Sequence, residues 1–141
     1  MKEKRYEPAE EKLEYKGLSE ADTRVKIIDP QLRSSGWKEE NIKREFYFRK
    51  GKIIIEGNKA KRGERKFADY VLFFENAFPV AIIEAKRYFK HHAEGISDAK
   101  EKAQVLGVYF AYSTNGEKFE EFDFSNNKQT TIDQFPSPEE L

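Results

Sequence analysis

Three charged residues stand where the sequence is most apolar. Asp69 lies near the start of the run Phe67–Glu75 (FADYVLFFE), and Glu84 and Lys86 close the run Pro79–Lys86 (PVAIIEAK). Charges beside Val71, Leu72, Ile82 and Ile83 cost free energy unless something compensates them. Both runs are apolar on either face, with Asn76-Ala77-Phe78 between them, so they predict a hairpin of two buried strands. If the hairpin is symmetric about the Asn76–Ala77 bond, Asp69 falls directly opposite Glu84, with Cβ atoms about 5 Å apart on one face. Lys86 shares that face, two residues on. Val71, Phe73, Val80 and Ile82 would form a dry wall behind. Two carboxylates about 5 Å apart repel by about 3 kcal/mol at an effective dielectric of about 20, and a divalent cation between them reverses the sign. Carboxylate oxygens with retained waters suit Mg²⁺, and a neighbouring lysine can hold or deprotonate a water. That chemistry is metal-assisted hydrolysis of a phosphodiester. The competing reading is a solvated Glu-x-Lys at a strand end. A one-residue offset would turn Asp69 to the other face.

Elements to position these residues can be read on either side. Ser19 with Asp22 forms a loose capping box that opens a helix. Ala21, Val25, Ile28 and Leu32 mark one apolar stripe along it. Pro30 must kink that helix or begin a second segment, Gly36 ends it, and Trp37 packs back on the core. Residues 45–48 and 52–55 read as short strands joined at Arg49-Lys50-Gly51. Ser97 caps a second helix that runs to Leu106 and stops at Gly107. Val108–Tyr112 is a strand, Asn115-Gly116 a hairpin turn, and Lys118–Phe124 an outer strand. The expected fold class is α/β: a central mixed sheet flanked by helices in a single domain. Residues 1–17 read as a charged appendage, 18–124 as the domain, and 125–141 as a linker.

Composition bounds the rest. The 141 residues carry 26 Lys/Arg and 26 Asp/Glu, with charged residues at 37% and aromatic residues at 14%. That is too aromatic for a disordered chain, and most of the Phe and Tyr residues belong in a core. Cysteine is absent, which excludes disulfides, thiolate metal sites and a cysteine nucleophile. No run approaches the roughly 18 apolar residues of a membrane span, no signal core is present, and no phosphate-cradling glycine loop occurs. Charge is uneven. Residues 38–66 hold eleven Lys/Arg against five Asp/Glu, a net of +6, and residues 117–141 hold two against seven, a net of −5. A basic middle fits a polyanion partner. Lys59, Lys61, Arg62, Arg65 and Lys66 lead into Asp69, placed to touch phosphates, and Arg87 and Lys90 follow Lys86. His91 and His92 are neighbours and seldom converge on one ion.

Asp69, fourteen residues, then Glu84-Ala85-Lys86 resembles the D…E-x-K core of the PD-(D/E)XK nucleases. Its surroundings resemble the N-terminal nuclease domain of type I restriction enzyme R subunits: Ser19-Glu20-Ala21-Asp22-Thr23-Arg24, Ile28-Asp29-Pro30-Gln31-Leu32, Gly36-Trp37, Ala68-Asp69-Tyr70-Val71-Leu72, Leu106-Gly107-Val108 and Ser113-Thr114-Asn115-Gly116. The closing Phe135-Pro136-Ser137-Pro138-Glu139-Glu140-Leu141 is similar to the passage into that family's motor domain. The resemblance covers roughly residues 18–141. It implies a restriction-endonuclease-like fold, Mg²⁺ (with Mn²⁺ as substitute) bound by Asp69, Glu84 and the Ala85 carbonyl, and Lys86 positioning the attacking water. It adds Glu20 as an acidic residue that reaches the metal through water. It further implies double-stranded DNA as substrate, specificity and methyltransferase subunits as partners, ATP used only by a motor absent from this chain, and a bacterial or archaeal cytoplasm. One departure is marked: the family's Gln-x-x-x-Tyr positions are Asp98 and Lys102 here. Three alternatives stay open: a non-catalytic DNA-binding module of the same fold, a free-standing repair or junction nuclease, and a docking domain without metal affinity.

Overall fold

The computed structural model describes residues 17–49, 65–88 and 90–141. After a first helix, α1 (residues 20–34), the chain builds strands β1 (Ile42–Arg49), β2 (Arg65–Phe74) and β3 (Phe78–Ala85). Helix α2 (Ile96–Leu106) follows, then β4 (Phe110–Thr114), β5 (Phe119–Asp123) and β6 (Lys128–Ile132). The six strands lie in sequence order in one sheet. All neighbours are antiparallel except β3 and β4, which are parallel and joined through α2, the crossover a parallel pair requires. The expected α/β domain with a helix-flanked mixed sheet is thus present. Among the described residues no helix is long and apolar enough to cross a membrane.

The sheet is packed on both sides. Ile28, Leu32, Trp37, Tyr70, Leu72, Ile83, Tyr112, Phe119 and Phe135 fill one face. Val71, Ile82, Ala111 and Phe122 meet Ala99 and Ala103 of α2 on the other. Alternation along β2 and β3 supplies both layers, which explains why these two runs are continuously apolar.

The central hairpin keeps the expected pairing, Tyr70 with Ile83 and Val71 with Ile82, by an unexpected route. Glu75 and Asn76 both take positive φ, 52° and 54°, as a type I′ turn requires. The turn alone would shift the register, and a bulge between Leu72 and Phe73 restores it: Leu72 pairs with Ala81 and Phe73 with Pro79, leaving Val80 unmatched. Val80 therefore packs with the cluster opposite Val71 and Ile82 instead of joining their wall.

Four further expectations are corrected. The first helix has three pieces, α-helical Glu20–Thr23, π-helical Arg24–Ile28 and α-helical Asp29–Ser34. Pro30 has no N–H to give, and the turn ahead of it closes five residues apart, Asp29 N–H to the Arg24 carbonyl. The extra residue rotates the face, so Thr23, Ile28 and Leu32 are buried, whereas Ala21 is exposed and Val25 is 62% exposed. Second, β1 pairs along its length with β2, a pairing the local pattern did not reveal; the expected strand at 52–55 lies outside the described residues. Third, Gly95, not Ser97, caps α2. Fourth, 125–141 is no simple linker: β6 extends the sheet, Phe135 is buried, and the Trp37 indole donates to the Pro136 carbonyl at 2.9 Å. The 1–17 appendage lies, but for Gly17, outside the described residues.

Candidate metal and phosphate site

The site forms where the ladder between β2 and β3 stops, one pair short of Asp69 and Glu84. Asp69 replaces the missing ladder bond with its side chain, its Oδ2 accepting from the Ala85 N–H at 2.8 Å. On the other side the Lys86 N–H donates to the Thr114 carbonyl at 2.8 Å. Ala85 thus turns its N–H away from β4, and an extended backbone sends its carbonyl to the same side.

Both carboxylates are buried, Asp69 to 6% exposure and Glu84 to 7%. Burial first, then the charge of Asp69, pushes the Glu84 carboxyl up to about 7. Lys102 of α2 opposes this from 3.1 Å and is held by Asp98 at 3.2 Å. Burial disfavours the Lys102 ammonium, but Glu84 and Asp98 outweigh it and hold its pKa above the ordinary lysine value. The departure seen in the sequence at 98 and 102 is therefore an ion-paired arm on Glu84.

Asp69 Oδ1 accepts from Arg24 at 3.1 Å, and the other end of that guanidinium reaches Glu45 at 3.0 Å. Glu20 stands one turn before Arg24. Its side chain makes no hydrogen bond or ion pair with described residues, and Arg24, its i,i+4 neighbour, is taken by Asp69 and Glu45. Lys86 has no such partner either. Its Cε passes close to Gly95, where an added Cβ would lie 3.2 Å away.

Sequence reasoning missed the residues that hold the segment after Lys86. The Tyr88 N–H donates to Thr23 Oγ1 at 3.3 Å, the Asn115 amide to the Lys90 carbonyl at 2.7 Å, and Ser113 Oγ to the His92 carbonyl at 2.7 Å. His92 Nε2 meets Glu120 at 3.0 Å. Glu84 pairs with Ser113, Ser113 with Glu120, and Glu120 with Thr131, so one polar row crosses the sheet. The strand registers carry that signal, and no local motif does. Asn115, expected as a mere turn residue, is 6% exposed and ties two segments together.

Of the expected phosphate contacts, Lys59, Lys61 and Arg62 lie outside the described residues, and Arg65 opens β2. Lys66 pairs with Glu101 at 3.4 Å, Lys90 with Glu94 at 4.0 Å, and Arg87 is exposed. The His91 and His92 rings stack on each other at 4.4 Å.

A small α/β domain with a six-stranded mixed sheet, and two buried carboxylates beside a strand-end alanine and lysine, defines the class: a restriction-endonuclease-like domain. No protein-family model matches the chain. It is 37% identical over 136 residues to the Type I restriction enzyme EcoAI endonuclease subunit of Escherichia coli, covering 92% of this chain and 17% of that one. A solved fragment described as an HsdR subunit of a type I restriction enzyme from Vibrio vulnificus YJ016 superposes with a TM-score of 0.75 at 40% identity, covering 88% of this chain and 24% of that one. The chain is thus homologous, over most of its length, to one part of the endonuclease subunits of type I restriction enzymes.

Proposed function

We propose that this chain is the Mg²⁺-dependent endonuclease domain of a type I restriction-modification enzyme, hydrolysing phosphodiester bonds of double-stranded DNA. The observation that carries the reading is that buried Asp69 accepts from the Ala85 N–H while acting electrostatically on buried Glu84, the residue before Ala85, in a chain whose relatives are endonuclease subunits. The donor set fits a hard cation: two carboxylates and a carbonyl, all oxygen. The Glu84 carboxyl is held up by burial and by Asp69, which is the charge imbalance a cation would relieve. Two carboxylates and one carbonyl would leave the rest of an octahedral shell to water, which Mg²⁺ tolerates.

Asp69, Glu84 and the Ala85 carbonyl would hold the ion, which supplies Lewis acidity and a clamp on the phosphate. Lys86 positions a water in line with the phosphorus. The water oxygen bonds to phosphorus as the P–O3′ bond breaks; the proton the attacking water loses passes to solvent, and the leaving O3′ takes one from a solvent water. Lys102 keeps Glu84 aimed. Arg87, Lys90 and the basic stretch 59–66 steer the DNA backbone. Specificity and methyltransferase subunits, and an ATP-driven motor, belong to the assembly this reading implies.

The test is a Mn²⁺ titration of the ¹⁵N-labelled chain. Paramagnetic broadening should centre on Asp69, Glu84 and Ala85 and vanish in Asp69→Ala. Broadening that ignores Asp69 sinks the proposal. A second reading, a DNA-binding module without catalysis, draws on the cations that already pair both carboxylates, Arg24 and Lys102. Asp69→Ala separates the two: it abolishes cleavage if the domain is an enzyme, and it does not weaken DNA binding if the domain is only a clamp.

A further inference from the structure

Arg24 carries an inference that rests on the metal site just proposed and goes beyond it. Its guanidinium is shared between two carboxylates, Asp69 at 3.1 Å and Glu45 at 3.0 Å. The arginine side chain is 16% exposed and Glu45 is 57% exposed, so the pair lies at the rim, with Asp69 behind it. Two backbone irregularities meet there. Arg24 opens the π-helical turn of α1, its carbonyl accepting from Asp29, and such turns gather at functional sites. Glu45 has φ 49° inside a strand, a conformation that strains an ordinary residue and gathers at sites where strain is put to use. The ladder of β1 on β2 skips that position, running from Arg44–Tyr70 to Phe46–Ala68. Continued through the gap, the register sets Glu45 opposite Asp69.

A guanidinium beside a carboxylate neutralises charge that a cation would otherwise use. It also matches a phosphate oxygen pair as well as it matches a carboxylate. We propose that Arg24 is a phosphate-exchange residue. Without DNA it sits on Asp69 and Glu45 and weakens metal binding. A backbone phosphodiester draws it off and releases Asp69 to the ion. Metal and DNA are then positively coupled, and linkage makes the coupling equal in both directions.

The experiment measures Mn²⁺ affinity of the whole 141-residue chain by electron paramagnetic resonance, with and without a short DNA duplex, for wild type, Arg24→Gln, Asp69→Asn and Glu45→Gln. Arg24→Gln should tighten Mn²⁺ in the absence of DNA by on the order of tenfold, and the duplex should tighten wild type much more than this variant. Glu45→Gln alters only an exposed side chain and keeps the fold safe. It should raise DNA affinity severalfold without metal, and that gain should disappear when combined with Arg24→Gln, which separates partner exchange from general loss of negative charge. If Arg24→Gln leaves Mn²⁺ affinity and its DNA dependence unchanged while Asp69→Asn removes binding, Arg24 is only a strut and the inference fails with the metal site intact. If wild type binds no Mn²⁺ that Asp69→Asn removes, with or without DNA, the functional reading fails and takes the inference with it.

Discussion

Glu84 is the residue where stability and the proposed chemistry oppose each other. Its pKa in the fold, about 7, lies above the ordinary 4.5, chiefly through burial and then through Asp69. A carboxyl raised in this way favours the protonated folded state. Its penalty is absent below the unfolded value, grows between pH 4.5 and 7, and is complete above, at about 3 kcal/mol. Glu84→Gln should therefore raise the thermal midpoint at pH 8 and change it little at pH 4.5; an equal shift at both pH values would mean that the carboxyl titrates normally. Lys102 offers the converse test. Lys102→Met leaves Glu84 buried without its cation and should cost about 3 kcal/mol at pH 8, with much of that recovered at pH 5, as urea midpoints at the two pH values would show. At this scale the sequence was legible where charge interrupted an apolar run, which is how Asp69, Glu84 and Lys86 stand out. Arg24 and Glu45 were not legible, because their pairing spans 21 residues and depends on a π turn and a skipped ladder position.

At the scale of elements, the paired apolar runs, the helix ending at Gly107 and the Asn115-Gly116 turn follow from local rules, and the structure has them. Gly107 and Gly116 adopt φ 85° and 92°, which L side chains avoid. The structure departs from local rules where one residue is added to a regular repeat. The bulge at Val80 and the π turn before Pro30 each shift a face, and extrapolated periodicity cannot carry across such an insertion. Gly95 shows how tightly the elements then close on the site. Its φ of −93° suits any residue, yet an added Cβ would meet Ser113 Oγ at 3.0 Å, Lys86 Cε at 3.2 Å and Glu84 Cβ at 3.3 Å. Lys86 can swing aside, whereas the Glu84 Cβ is fixed by its strand. Gly95→Ala should lower stability by about 1–3 kcal/mol and shift the backbone amide signals of Ser113 and Lys86. A variant as stable as wild type with unmoved signals would show that α2 does not press on the site.

At the scale of the whole molecule, the acidic C-terminal stretch differs from a linker for a physical reason. A run with net −5 resembles a solvated tail, but its carboxylates are used inside the fold. Glu120 accepts from Gln129 and Thr131 at 2.7 Å and meets His92, and those contacts hold its pKa down although burial works the other way. Glu121 accepts from the Tyr112 hydroxyl at 2.7 Å, and Glu140 closes a capping box with Ser137. Phe135 then seals the face of the sheet opposite α2, its ring 4.5 Å from Tyr112, 5.2 Å from Phe119 and 6.3 Å from Trp37. The last seventeen residues are therefore part of the domain that presents Asp69 and Glu84, since Tyr112 and Ser113 sit on the strand beside Glu84. Phe135→Ala removes a buried ring from four-way aromatic packing and should cost about 3–5 kcal/mol. Trp37 is the sole tryptophan, so its fluorescence reports the loss directly: the urea midpoint should fall with an unchanged slope. A chain ended at residue 124 should show no cooperative transition at all. A cooperative transition there, at the wild-type midpoint, would return residues 125–141 to the status of a linker.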